Sequence, residues 1–164
     1  PGSSGGSVTA DQVGWIEQGG TWYFRYPDGT YQKNGWLTLQ DLWYRFDADG
    51  RMITGWFYMD GLWYYLKPYT GGPKGSLATG WNYINDKWYF LNTGMFSNLP
   101  GGAMVTGWLT LNGKQYYLDA SGAMVEGWAK VGDDYYYFYP GTGEKAYNTS
   151  IGVFELDGDG KWKR

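Results

Sequence analysis

The chain has 164 residues, of which 21% are aromatic and 28 are glycine, and it carries a formal net charge of −3. Its 13 Lys and Arg are scattered rather than clustered, which argues against nucleic acid as a partner, and no apolar run approaches the ~18 residues that a membrane-spanning helix needs. The absence of Cys and His removes disulfides, thiolate and imidazole catalysis, and nearly all zinc, iron and copper sites, so no cofactor or metal is expected.

Along the chain, residues 1–10 open with Pro1-Gly2-Ser3-Ser4-Gly5-Gly6-Ser7, which lacks a charged start and an apolar stretch and reads as a linker or cloning remnant. Residues 11–150 are organised by a Gly-Trp pair that recurs six times: Gly14-Trp15, Gly35-Trp36, Gly55-Trp56, Gly80-Trp81, Gly107-Trp108 and Gly127-Trp128. Seven residues after each of these Trp stands Trp22, Trp43, Trp63, Trp88, Gln115 or Tyr135, and eight residues after stands a Tyr in every unit. Each unit runs from Gly-Trp to a polar turn, such as Met59-Asp60-Gly61-Leu62 or Leu111-Asn112-Gly113-Lys114, and then into an aromatic triplet. This pattern predicts six β-hairpins.

After the triplets, segments such as Asp47-Ala48-Asp49-Gly50 and Asp119-Ala120-Ser121-Gly122 turn the chain. Met52, Leu77, Met104 and Met124 then lie four residues before the next Gly-Trp tryptophan. Two longer connectors, Lys67 to Thr79 and Asn92 to Thr106, are rich in Gly and Pro and read as loops that lengthen a repeat. Residues 151–164 lack Gly-Trp yet read as strand, turn, strand, a terminal cap or pairing element. A lone hairpin is marginal in water, so the predicted fold is all-β, a solenoid of tandem hairpins with no helices of note, each hairpin burying its aromatics against the next.

The pattern Gly-Trp, short turn, Trp-Tyr-Tyr or Trp-Tyr-Phe, Gly, Met, Thr-Gly-Trp resembles the choline-binding repeats of pneumococcal-type surface proteins and of bacterial and phage lysins. Thr54 to Leu66, Thr79 to Leu91 and Thr106 to Leu118 are its clearest copies. The resemblance implies a non-catalytic module, secreted, at the bacterial cell surface or phage-encoded, that binds phosphocholine of teichoic acids between consecutive hairpins. It implies a parent wall-lytic enzyme whose catalytic domain lies elsewhere. Carried over by position, the paired walls are Trp15 with Trp22, Trp36 with Trp43, Trp56 with Trp63, and Trp81 with Trp88. Trp108 and Trp128 stand alone, because Gln115 and Tyr135 replace their partners. Tyr64, Tyr89 and Tyr116 are candidates to close a neighbouring cage, and Met52, Met104 and Met124 match the soft apolar floor.

The chemistry fits those residue types. A quaternary ammonium has no proton to donate and spreads its charge over methyl groups, so aromatic faces attract it; one face contributes about 0.5–2 kcal/mol. Several modest cages facing a polymer of repeated ligands gain roughly 10²–10⁴ in retention through effective concentration. Other readings remain open. Trp and Tyr at hairpin spacing also serve as ordinary β core; glucan-binding repeats use similar Gly-Trp and Tyr-Tyr-Phe units; and the tail, through Phe154, Leu156 and Trp162, is a candidate homodimer contact. Asp47-Ala48-Asp49-Gly50 and Asp157-Gly158-Asp159-Gly160 read as turns rather than calcium loops, since Arg51 and Lys161 fall where an oxygen ligand belongs. Asp133-Asp134 likewise reads as a turn and not as a catalytic pair.

Overall fold

A computed structural model describes residues 12–68 and 74–164. Residues 1–10, expected to be a linker, and part of the Lys67–Thr79 connector lie outside the described residues. Among the described residues every regular element is a strand, and the strands pair only as antiparallel hairpins, so the expected all-β hairpin architecture is the observed one. The chain divides into two compact units, residues 1–78 and 79–164.

The first unit holds three hairpins: β1 (Gly14–Gln18) with β2 (Thr21–Arg25), β3 (Gly35–Leu39) with β4 (Leu42–Phe46), and β5 (Gly55–Met59) with β6 (Leu62–Leu66). Their two-residue loops are Gly19-Gly20, Gln40-Asp41 and Asp60-Gly61, and both residues of each loop have positive φ. That is the mirror-image turn whose twist matches the strands it joins. The register is fixed by these turns: Trp15 lies across from Phe24, Ile16 from Tyr23, and Glu17 from Trp22. Strand alternation therefore puts Trp15 and Trp22 on one face of the hairpin and Tyr23 on the other. The same register recurs in the next two hairpins, with Trp36 across from Arg45 and Trp56 from Tyr65.

The second unit repeats the plan with β7 (Gly80–Ile84) and β8 (Lys87–Leu91), β9 (Gly107–Leu111) and β10 (Lys114–Leu118), and β11 (Gly127–Val131) and β12 (Asp134–Phe138). Asp134 opens β12, across from Val131, so only Asp133 of the acidic pair belongs to the turn. The tail forms the short hairpin β13 (Ser150–Ile151) and β14 (Phe154–Glu155). The long connector after β8 is organised by Asn92. Its fully buried amide nitrogen donates to the carbonyls of Phe96, Leu99 and Pro100, while its oxygen accepts from the amides of Gly94 and Phe96.

In both units a short third segment follows each hairpin and bridges back to the last residue of its second strand: Phe46 to Met52 and Leu66 to Leu77 in the first unit, and Leu91 to Met104, Leu118 to Met124 and Phe138 to Lys145 in the second. The strand-end partners, Phe46 and Leu66 in the first unit and Leu91, Leu118 and Phe138 in the second, are fully buried. The third segment also joins its hairpin to the one before. The Met52 amide donates to the Trp22 carbonyl and that of Leu77 to the Trp43 carbonyl. In the second unit the Met124 amide donates to Trp88, that of Lys145 to Gln115, and that of Trp162 to Tyr135. Because these bonds are backbone to backbone, they persist whichever side chain occupies the position.

Candidate functional site

The alternation described above gives each hairpin two different faces. One presents the pair of Trp diagonally across the strands, and the other presents the Tyr of the eighth position toward the preceding hairpin of the same unit. Trp15 and Trp22 stand with ring centroids 6.2 Å apart at 83°, and Tyr44 of the next hairpin closes on Trp15 at 4.9 Å. Met52, anchored to the Trp22 carbonyl, completes the set, and a pocket of about 570 Å³ opens among Trp15, Trp22, Tyr44 and Met52 with Glu17, Gly20 and Lys74 at its rim. The Glu17 carboxylate is held there by the Gly20 amide at 2.8 Å, which sets a negative charge beside the aromatic walls.

The second hairpin of this unit repeats the walls. Trp36 and Trp43 are 6.3 Å apart at 80°, Tyr64 meets Trp36 at 5.8 Å, and Leu77 takes the chain position of the methionine. Here the residue across from the first Trp is Arg45 rather than a ring, and its guanidinium lies over Trp36 at 5.4 Å and over Phe57 at 5.2 Å. Burial raises the Tyr44 and Tyr64 phenols above their ordinary value, so both rings are neutral walls. Trp56 and Trp63 form the same near-perpendicular pair at 6.3 Å, with Tyr58 backing Trp63 at 4.9 Å.

In the second unit Trp81 and Trp88 are 6.4 Å apart at 89°, Tyr116 closes on Trp81 at 5.2 Å, and Met124 is anchored to the Trp88 carbonyl. These four surround a pocket of about 210 Å³, rimmed by Gly141 and Thr142. Tyr83 backs Trp88 at 5.0 Å, as Tyr58 backs Trp63 in its own hairpin. Tyr89 occupies the eighth position of its hairpin, across from Asn82, and Met104 bridges to Leu91 and lies beneath Gly122.

The fifth and sixth Gly-Trp units depart from this set. Trp108 meets Tyr136 at 5.0 Å, but Gln115 replaces the second wall and Lys145 stands in the floor position. Trp128 meets Phe154 at 5.6 Å, and Tyr135 and Trp162 complete a pocket of about 260 Å³ with four aromatic walls. Phe154 here does the work of the eighth-position Tyr, and Trp162 that of the floor methionine.

The structure thus brings Trp15 and Trp22 together with Met52, Trp36 and Trp43 with Tyr64, and Trp81 and Trp88 with Tyr116 and Met124. It also adds walls that the sequence pattern does not assign: Tyr44 and Tyr136 share the eighth-position signal with the others, whereas Phe154 and Trp162 lie in the tail and carry no repeat signature. Leu156, also read as a pairing residue, is buried within the chain.

A second recurring feature fixes the floor. Gly143 has φ +74, and a Cβ there would collide with the Met124 thioether; Gly122 stands in the same relation to Met104, and in the first unit Gly75 to Met52. The turn after the next hairpin therefore presses a bare backbone onto the methionine and fixes its position.

Residues 33–74 and 105–150 match the family described as the choline-binding repeat, and residues 13–31 and 79–94 match a cell wall binding repeat. No curated protein matches the chain. Among solved structures, CbpJ from Streptococcus pneumoniae is 36% identical with a TM-score of 0.81 over 93% of this chain and 48% of that one. Choline binding protein F from the same organism, solved in the presence of a peptidoglycan analogue, is 34% identical with a TM-score of 0.79 over 93% of this chain and 47% of that one. The pneumococcal cell wall endolysin from phage Cp-1, solved with choline, is 32% identical with a TM-score of 0.55 over 85% of this chain and 38% of that one. This chain spans about half the length, or less, of these solved proteins. With the repeat geometry and the matched residues in agreement, the chain belongs to the choline-binding repeat family.

Proposed function

We propose that the chain is a non-catalytic wall-targeting module that binds choline, as the phosphocholine of teichoic acids, through the aromatic cages between successive hairpins of each unit, and does so multivalently. The observation that carries this reading is the recurrence of one four-part set in two places, Trp15–Trp22–Tyr44–Met52 and Trp81–Trp88–Tyr116–Met124, each around an open pocket. Two perpendicular indoles and a neutral phenol offer three faces to a trimethylammonium group, and the thioether adds a polarizable contact. At about 0.5–2 kcal/mol per face, one cage gives affinity near millimolar. Several cages on one chain then supply retention on a polymer.

The walls Trp36, Trp43 and Tyr64, the pair Trp56 and Trp63, and the four-ring pocket at Trp128 are further sites on this reading. Residues 11–150 form the binding array, and residues 151–164 act as its cap. The chain works at the bacterial surface or in a phage-encoded lysin, joined to a catalytic domain outside this sequence. Titration with choline chloride and tetramethylammonium, against glucose oligomers and matched sodium chloride, tests the proposal by Trp fluorescence. Saturable millimolar changes with both ammonium ligands alone support it, and a response to the oligomers alone moves the assignment to glucan binding. Pairing of two copies through the tail is supported by Val153, 90% exposed at the tip of the last hairpin beside the exposed Phe154; a dimer mass by light scattering would bear it out.

A further inference from the structure

One cage in the second unit already contains a cation. Lys145 occupies the floor position of the Trp108 set by every backbone criterion that places Met124 in the Trp81 set. It bridges to the buried end of the preceding strand, Phe138, as Met124 does to Leu118. Its amide donates to the carbonyl of the second-wall residue, Gln115, as that of Met124 does to Trp88. Its aliphatic stem lies beneath Gly160, at φ +84, as Met124 lies beneath Gly143. From there the ammonium reaches 5.4 Å from the Trp108 ring centroid and 5.7 Å from that of Tyr136, within the range of a cation–π contact to both. It also donates to the Asp159 carbonyl at 2.6 Å.

We propose that Lys145 is a built-in ligand of the Trp108 cage: its tethered ammonium takes the place of a quaternary ammonium, closes this site to choline, and pins the terminal turn to the array. The inference rests on the choline reading of the other cages. Arg45 in the first unit is different, because it replaces the ring that backs Trp36 from the neighbouring strand and does not enter from the floor. The environment is consistent with an occupied cage. Burial lowers the Lys145 pKa from the ordinary lysine value, while Asp159 and Asp157 act in the opposite direction and favour the ammonium. Gln115, in place of a second Trp, leaves this site one aromatic wall short of the Trp81 set, and the Asp159 carbonyl accepts one of the three ammonium protons. A tethered cation is present at an effective concentration of roughly millimolar or higher, enough to compete with a free ligand of millimolar affinity.

The test uses the full chain labelled with 5-fluorotryptophan and titrated with choline chloride, with the Trp81 and Trp108 fluorine signals assigned by W81F and W108F. In the unsubstituted chain Trp81 moves saturably and Trp108 does not. Gln115→Trp restores the second wall but keeps Lys145, and Trp108 stays unresponsive. Adding Lys145→Met reproduces the Trp-Trp-Tyr-Met set, and Trp108 then responds saturably, at choline concentrations at least about tenfold below the highest at which Q115W is silent. Equal responses in Q115W and Q115W/K145M, or none in either while Trp81 responds, would overturn the proposal. If Trp81 itself is silent, the choline reading fails, and the Lys145 contact is judged independently: its ε-methylene protons, assigned by their loss in K145M, must lie upfield of the other lysines, and ordinary shifts would overturn the occupancy.

Discussion

The cages at Trp81 and Trp108 share a backbone and differ in two side chains. Both place a Gly-Trp tryptophan against the eighth-position Tyr of the next hairpin, at 5.2 and 5.0 Å, and both anchor a floor residue by its amide to the second-wall position. At Trp81 the second wall is Trp88 and the floor is Met124, and a pocket remains; at Trp108 they are Gln115 and Lys145, and an ammonium lies against the rings. The scaffold is therefore indifferent to what the cage holds. Backbone hydrogen bonds build the position, and the side chain chooses between an external cation and an internal one.

The largest effect on this comparison is expected from the glycines that press on the floor. Gly143→Ala places a Cβ into the Met124 thioether at a positive-φ position, and the backbone alone costs about 1–3 kcal/mol. Gly160→Ala meets the Ala146 carbonyl and the Lys145 stem, so both variants should lower the melting temperature by several degrees. An unchanged melt for either would show that the floor can move aside.

Removing a wall should act on binding more than on folding. Trp88 is 36% exposed, so Trp88→Ala leaves little unfilled core. The loss of one face should weaken choline at that site about 2–30-fold, read from the Trp81 fluorine signal. Conversely, Arg45→Phe replaces the guanidinium at 5.4 Å from Trp36 by the ring that other hairpins carry there. Choline affinity at the Trp36 cage should rise a few-fold, most at low salt, because the like charge is screened by ions. No change would mean that the guanidinium is compensated.

The smallest effect concerns the turns. Asp157 is held below the ordinary carboxylate value by the Lys161 amide and then by that of Asp159, which its Oδ1 accepts at 2.9 Å each. A carboxyl depressed in the folded chain contributes stability above its ordinary value of 3.8, and that contribution is lost as pH falls through the lower folded value. Asp157→Asn should thus lower the melting temperature slightly at neutral pH and flatten the acid limb of the melting profile below about pH 4, where the unsubstituted chain loses the same contribution. These carboxylates spend their lone pairs on backbone amides, which is how Asp47 and Asp119 also act.

Sequence by itself determined the hairpins, their turns, their register and the pairing of the two Trp, because each depends on residues within about ten positions and on the two-residue period of a strand. It also implied which Tyr faces away from its own Trp. Only the tertiary structure decided where those Tyr go, that Phe154 and Trp162 substitute for Tyr and Met in the last cage, and that Lys145 enters the cage of Trp108. Those contacts join residues 26 to 37 positions apart and depend on how one hairpin is bonded to the next. A lysine at a floor position and a lysine at the surface read alike in a sequence; the backbone bond to Gln115 and the bare Gly160 above it are what turn this one inward.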